Sequence, residues 1–240
     1  MSLVAKSLGG FVNLPSMQAL TLTEENYLKS IYTLQHRNAT GEVSVNEIAE
    51  RMQTKPATVT DMLRKLSEKE LIHYEKYKKI QLSESGIAQA LQILRKHRLW
   101  ETFLHDKLQF SWDEVHEVAE QLEHIHSKKL IESLDAFLGF PKYDPHGDPI
   151  PNAKGEMPVS RAVTLLNVEH DINCQIVAVK DSSTAFLQQL ERFGLQIGVT
   201  LQVKEQMAYD NSILVQTKSD PFFLSEKTAD NILVIPVAEL

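Results

Sequence analysis

Six side chains near the middle of the chain have the types and spacing to hold an ion. His116, Glu120, Glu123 and His124 stand at i, i+4, i+7 and i+8, which is one stripe of a helix. His97 and Glu101 stand at i and i+4 in the segment before it. Val115, Val118, Leu122, Ile125 and Leu130 occupy adjoining faces, so the stripe belongs at a boundary between packed elements. Three imidazoles and three carboxylates aimed at one region repel or desolvate badly unless something positive neutralises them. A divalent cation does this. Mixed nitrogen and oxygen donors without thiolate suit manganese, ferrous iron, cobalt or zinc rather than copper(I). The alternative for the same residues is a solvated helix face laced with i,i+4 pairs.

The elements that must position these groups can be read outward from them. Ser83–Lys107 and Asp113–Leu138 have the apolar spacing of two long amphipathic helices. Upstream, Thr23 with Glu24 and Glu25 looks like the cap of a first helix carrying Tyr27, Leu28, Ile31, Tyr32 and Leu34. Ser44 and Glu47 have the spacing of a capping box, and Pro56 suits the first turn of a helix running to Lys69. Leu71–Tyr74 and Ile80–Leu82 flank a basic tip, which predicts a hairpin. Two short helices about a tight turn, followed by such a hairpin, make a winged helix-turn-helix. The second helix offers Lys55, Thr58, Thr60, Asp61 and Arg64 toward base edges, and Lys76, Lys78 and Lys79 in the wing toward phosphate. A small three-helix bundle with solvated lysines is the bland alternative.

Downstream, Gly139–Pro158 is dense in Pro and Gly and reads as an ordered linker. From Ala162 the texture changes to short β-type runs (VTLL, CQIVAVK, VTLQVKEQ, SILVQTK, NILVIPVAEL), interrupted by one helical stretch, Ser183–Phe193. That predicts a small barrel or sandwich.

Composition removes other classes. The chain has 240 residues, a formal charge of -7 and a single cysteine, Cys174. One cysteine excludes an intrachain disulfide framework and any multi-cysteine zinc or iron–sulfur site. Any nucleic-acid surface must be local, and Thr54–Ile80 supplies one, with seven Lys/Arg against four Asp/Glu. No run of about 18 mostly apolar residues offers a membrane span. Met1–Leu20, broken by Gly9, Gly10, Asn13 and Pro15, reads as a loose leader rather than a signal peptide. These features predict a protein of the cytoplasm.

Several segments together resemble one family. TEENYLKSIYTL, VSVNEIAERMQTKPATVTDMLRKLSEKELI, LSESGIAQA, RKHRLWETFL and VHEVAEQLEHIHS resemble the metal-dependent repressors of the diphtheria toxin repressor and manganese transport regulator family. DPHGDPIP is similar to that family's connector, and LERFGLQIGVTLQV resembles the SH3-like domain shared with ferrous-transport accessory proteins. The resemblance implies a mainly α chain with a small β domain. Its parts would be a leader (1–21), a winged helix-turn-helix (22–83), a helical metal-binding and dimerisation domain (84–140), a linker (141–161) and an SH3-like β-barrel (162–240).

What the resemblance implies about function is a homodimer that binds a palindromic operator in double-stranded DNA when loaded with metal. Glu120, Glu123 and His124 fall on the family's primary metal site, and His97, Glu101 and His116 on its ancillary site. Asp144 and His146 match linker positions that complete the ancillary site in some three-domain members, where the SH3-like domain also gives a ligand, here Asp181 with Ser183 as the alternative. The first-helix position that supplies Met or Asp holds Asn26, and one turn later, where the manganese branch can place a Glu, Lys29 stands. Glu120 in place of a thiolate favours Mn(II), with Fe(II) the alternative. Two other functions stay open: a metal-blind DNA-binding regulator, and a helical di-metal enzyme. The enzyme lacks support from paired Glu-x-x-His repeats.

Overall fold

The computed structural model describes residues 20–38, 41–74, 79–218 and 220–237. The leader up to residue 19 and the wing residues Lys76 and Lys78 lie outside the described residues. The chain divides into two compact units between Gln89 and Ala90.

The first unit opens with α1 (Leu22–Arg37). Its cap is Thr21, not Thr23 as the sequence suggests: the Thr21 hydroxyl accepts from the Glu24 N–H, and the Glu24 carboxylate accepts from the Thr21 N–H at 2.8 Å. A capping box needs a three-residue offset from its acid, and Glu24 is in register with Thr21 alone. Ser44 and Glu47 form the expected box on α2 (Val45–Arg51), and Pro56 opens α3 (Pro56–Glu68), where its missing N–H has no helical partner to lose. The hairpin β1 (Ile72–His73) and β2 (Gln81–Leu82) pairs Ile72 with Leu82 and His73 with Gln81. Val43 bridges Ile80 and widens it. Leu28, Ile31, Ile48, Val59, Leu63, Leu66 and Ile80 are fully buried, each burial worth roughly 1.5–3 kcal/mol. This is the expected winged helix-turn-helix.

The unit boundary falls inside α4 (Glu84–Leu108). The single helix expected over Asp113–Leu138 is two: α5 (Val115–Leu122) and α6 (Lys128–Phe137). The first ends at its C-cap Glu123, and Ser127 starts the second. Ser127 takes extended backbone angles and its hydroxyl accepts from the Leu130 N–H, which caps the new helix. Leu99, Trp100, Leu104, Val115, Ala119, Ile131, Leu134 and Ile150 form the core of this helical part. In the segment after α6, Tyr143 bridges Pro149, and Asp144 Oδ1 accepts from the N–H groups of His146 and Asp148, both at 2.9 Å.

The rest of the second unit is β3 (Val163–Thr164), β4 (Asn173–Val179), α7 (Thr184–Arg192), β5 (Thr200–Gln206), β6 (Ile213–Gln216), β7 (Phe222–Leu224), α8 (Glu226–Asp230) and β8 (Ile232–Pro236). The strands form one antiparallel sheet in the order β3-β8-β4-β5-β6-β7. The expected closed barrel is corrected: among the described residues β3 and β7 remain the edges of the sheet. Irregularities at Ile176/Ala178 and Val203/Glu205 bend it, and α7 covers its core with Phe186, Leu187 and Leu190. Trp112, from the loop before α5, belongs to this core and not to that of the helices around it.

Candidate metal centre

Glu101 is the hub of the centre. It sits on α4 one turn after His97, and both side chains are almost wholly buried. Glu101 Oε1 lies 3.0 Å from His97 Nε2 and 3.1 Å from His116 Nδ1. The linker delivers His146, whose Nδ1 is 3.8 Å from the same oxygen. Two triads therefore share Glu101, His97–Glu101–His116 and Glu101–Asp144–His146, with ligand atoms within 4.8 Å of one another in each.

Each buried imidazole is oriented through the nitrogen it turns away from Glu101. A carboxylate or carbonyl oxygen only accepts, so His97 Nδ1–H donates to Glu123 Oε2 at 2.6 Å. His146 Nε2–H likewise donates to the Trp112 carbonyl at 2.6 Å. This arrangement turns the remaining ring nitrogen toward Glu101, as a hydrogen bond to one ring nitrogen orients a metal-binding histidine.

The charge balance has the same meaning. Burial would raise the Glu101 pKa, but His97, His116 and His146 outweigh it and hold the carboxyl well below its usual range. Asp144 goes the other way: burial, then the charges of Glu101 and Asp148, push its pKa well above the ordinary value against the pull of Arg98. Asp144 Oδ2 is buried with no hydrogen-bond partner among the described residues, and its ion-pair contact with Arg98 Nε is at 3.6 Å. A buried carboxylate oxygen left so, beside a second carboxylate and three imidazoles, fits a divalent cation and costs free energy without one.

Three family models match successive parts of the chain. Residues 19–80 match the iron dependent repressor N-terminal DNA binding domain, 83–152 its metal binding and dimerisation domain, and 163–236 the FeoA domain. A manganese-dependent transcriptional repressor solved in complex with manganese superposes with a TM-score of 0.81 at 34% identity, covering 89% of this chain and 100% of that one. The chain belongs to the iron-dependent repressor family.

Within that family, the iron-dependent repressor IdeR of Mycobacterium tuberculosis is 34% identical over 135 residues, 56% of this chain and 58% of IdeR. The diphtheria toxin repressor of Corynebacterium glutamicum is 27% identical over 199 residues, 78% of this chain and 86% of that one. The chain thus spans about three-fifths of IdeR. These relatives are named as repressors, and the reading as a helical di-metal enzyme is set aside.

Against that family frame, the structure gathers His97, Glu101, His116, Asp144 and His146 around one hub. Glu123 joins through His97, and His124 Nε2 lies 3.8 Å from Glu123 Oε1. Glu120 is exposed, with Oε1 3.5 Å from His116 Nε2. Asp181 belongs to neither triad; its carboxylate accepts from the Ser183 N–H at 2.8 Å. Asn26 is half-buried on α1 in the first unit.

Of the DNA-facing candidates, Lys55, Thr58, Asp61, Arg64 and Lys79 are exposed. Thr60 is half-buried and its hydroxyl donates to the Pro56 carbonyl at 3.0 Å. Asp61 pairs with Arg64 at 3.2 Å, and Lys79 pairs with Glu42.

Sequence reasoning misses Arg98 and the Trp112 carbonyl. Arg98 donates to the Pro149 carbonyl at 2.5 Å and pairs with Asp148 at 3.2 Å, so it ties the linker to α4 beside the centre. Its position one residue after His97 is a visible signal. A backbone carbonyl has none.

Proposed function

We propose that the chain is a homodimeric, cytoplasmic transcriptional repressor that binds a palindromic operator when loaded with Mn(II), Fe(II) being the alternative ion. The observation that carries this reading is the buried Glu101, ringed by three imidazoles and adjoining Asp144. The donor set is nitrogen and oxygen without thiolate, which suits the harder ions of the first row. His97, Glu101, His116, Asp144 and His146 are the residues that would hold an ion here, with Glu120, Glu123 and His124 proposed for the family's primary site. A bound divalent ion supplies the positive charge that turns mutual repulsion of these groups into ligation.

The chain's own contribution is to orient the donors and to present α3 to DNA. The Glu123 carboxylate and the Trp112 carbonyl each hold one imidazole through the ring nitrogen turned away from Glu101. In the dimer the two copies of α3 would enter successive major grooves about 34 Å apart. Lys55, Thr58, Thr60, Asp61 and Arg64 would face bases, and Lys79 with its wing would face phosphate. Metal and operator are then linked reciprocally, each tightening the other by typically ~1–3 kcal/mol.

Titration of the purified protein with Mn(II) and with Fe(II), followed by operator binding, tests this reading. Glu123→Ala and His124→Ala are expected to lose metal-stimulated DNA binding while remaining folded dimers. DNA binding untouched by a chelator in the wild-type protein refutes metal dependence, and equal activation by both ions removes the preference for manganese.

A further inference from the structure

Trp112 stands where two structural systems meet. Its carbonyl accepts the Nε2–H of His146 at 2.6 Å. Its ring lies nearly parallel to that imidazole, 21° between planes and 6.2 Å between centroids. The same ring is buried in the core of the β domain with Leu165, Leu187 and Leu190. Next to it, Asp113 Oδ2 accepts from Gln188 Nε2 of α7 at 3.0 Å. His146 is held from its other side as well, since its own carbonyl accepts from the Val179 N–H of β4 at 2.9 Å. A ligand-bearing linker is thus gripped between the α4–α5 loop and the β sheet, and Trp112 is the side chain common to both.

We propose that Trp112 is a positioning residue for the Glu101–Asp144–His146 ligand set, with its indole plugged into the β-domain core so that its carbonyl presents a fixed acceptor to His146 Nε2. Because Nε2 is committed to that carbonyl, only Nδ1 is offered toward Glu101. The indole N–H itself has no hydrogen-bond partner among the described residues, so the ring serves by its shape and apolar surface. Phenylalanine keeps an aromatic plug and removes that N–H, whereas alanine removes the plug. The β domain therefore acts on the centre through Trp112 without contributing a ligand at that position.

The assignment rests on reading the cluster as a metal centre, and two separate measurements keep the two ideas apart. The first is NMR of the full-length protein in chelator, reading the slowly exchanging imidazole Nε2–H proton of His146. It is expected in the wild-type protein and in Trp112→Phe, and lost in Trp112→Ala. The second is Mn(II) affinity by calorimetry, expected to fall about 10- to 100-fold in Trp112→Ala, as when the hydrogen-bond partner of a metal-binding histidine is lost, and to change less than threefold in Trp112→Phe. Val215→Ala, a truncation in the same core, is expected to leave both readouts in place. Where alanine prevents folding, Trp112→Leu is held to the same criteria. Retention of the proton in the alanine or leucine variant overturns the assignment, and so does equal loss in Val215→Ala. Absence of any Mn(II) binding by wild-type protein, with the His146 proton present, overturns the metal reading instead.

Discussion

Glu123, at the end of α5, accepts a 2.6 Å hydrogen bond from Nδ1 of His97 on α4. The opposite nitrogen of the same ring lies 3.0 Å from Glu101. One imidazole is therefore held between two buried carboxylates from different helices. It joins a residue proposed for the primary site to the hub of the second.

Removing that imidazole should expose what it neutralises. His97→Leu leaves Glu101 and Glu123 buried with less positive charge between them, and breaking a buried pair in this way costs about 3–5 kcal/mol. Denaturant unfolding in chelator is the measurement. A loss below about 1 kcal/mol refutes the tie, and operator binding by the variant should no longer respond to Mn(II).

The centre should exchange protons for metal. Burial alone would lower the His146 pKa, but the hydrogen bond to Glu101, the charges of Glu101 and Asp144, and the Trp112 carbonyl raise it to about 9. A folded pKa above the ordinary value stabilises the metal-free protein below about pH 6.5, and that stability is lost as pH rises through about 9. At neutral pH the ring is protonated and must release a proton to ligate. Mn(II) affinity should fall on acidification, with close to one proton released per His146 ligated. Calorimetry near pH 7.5 in buffers of different ionisation enthalpy measures this, and His146→Ala should reduce the release.

Gly147 should be far less replaceable than Gly139. Both have positive φ, +83° and +77°. A Cβ at Gly147 would lie 1.9 Å from the Val177 carbonyl oxygen on β4, whereas nothing lies within 4 Å of one at Gly139. Gly139→Ala should cost about 1–2 kcal/mol, the left-handed backbone penalty. Gly147→Ala adds a backbone clash and should cost about 3 kcal/mol or more. It should also weaken Mn(II) binding, because His146 precedes it. Equal unfolding midpoints for the two variants would contradict this.

Base-facing and phosphate-facing residues should separate in binding assays. Lys79→Ala should weaken all DNA sequences alike and reduce the salt dependence by about one counterion. Thr58→Ala, on the exposed early face of α3, should alter preference among operator variants with little change in salt slope. Fluorescence anisotropy over a salt series distinguishes them. A sequence-dependent loss for Lys79→Ala would place it on bases instead.

Most of the first unit was legible in the amino-acid order, because caps, first-turn proline and amphipathic spacing are local signals. Ser44–Glu47, Pro56 and the buried positions Val59, Leu63 and Leu66 stand where those signals place them. The same locality explains two errors. Thr23 lost the cap to Thr21 by register with Glu24, and the one helix read across Ser127 is two, because a serine hydroxyl can cap a new helix as well as be solvated. The open sheet was also out of reach, since β texture tells which segments are strands but not whether the edges meet.

By itself, then, the order of residues determined which donors exist, that His97 and Glu101 share a helix face, and that a basic wing follows α3. No local spacing brings Asp144 and His146, more than forty residues beyond Glu101, beside it: the family resemblance implied that meeting, and the tertiary structure groups the three side chains. Tertiary structure alone decided that Trp112 buries its ring in a core built from residues that follow it in the chain. The physical reason is range. Helical spacing is written within four residues, whereas the meeting of a linker, a loop carbonyl and a sheet depends on packing that no short window contains.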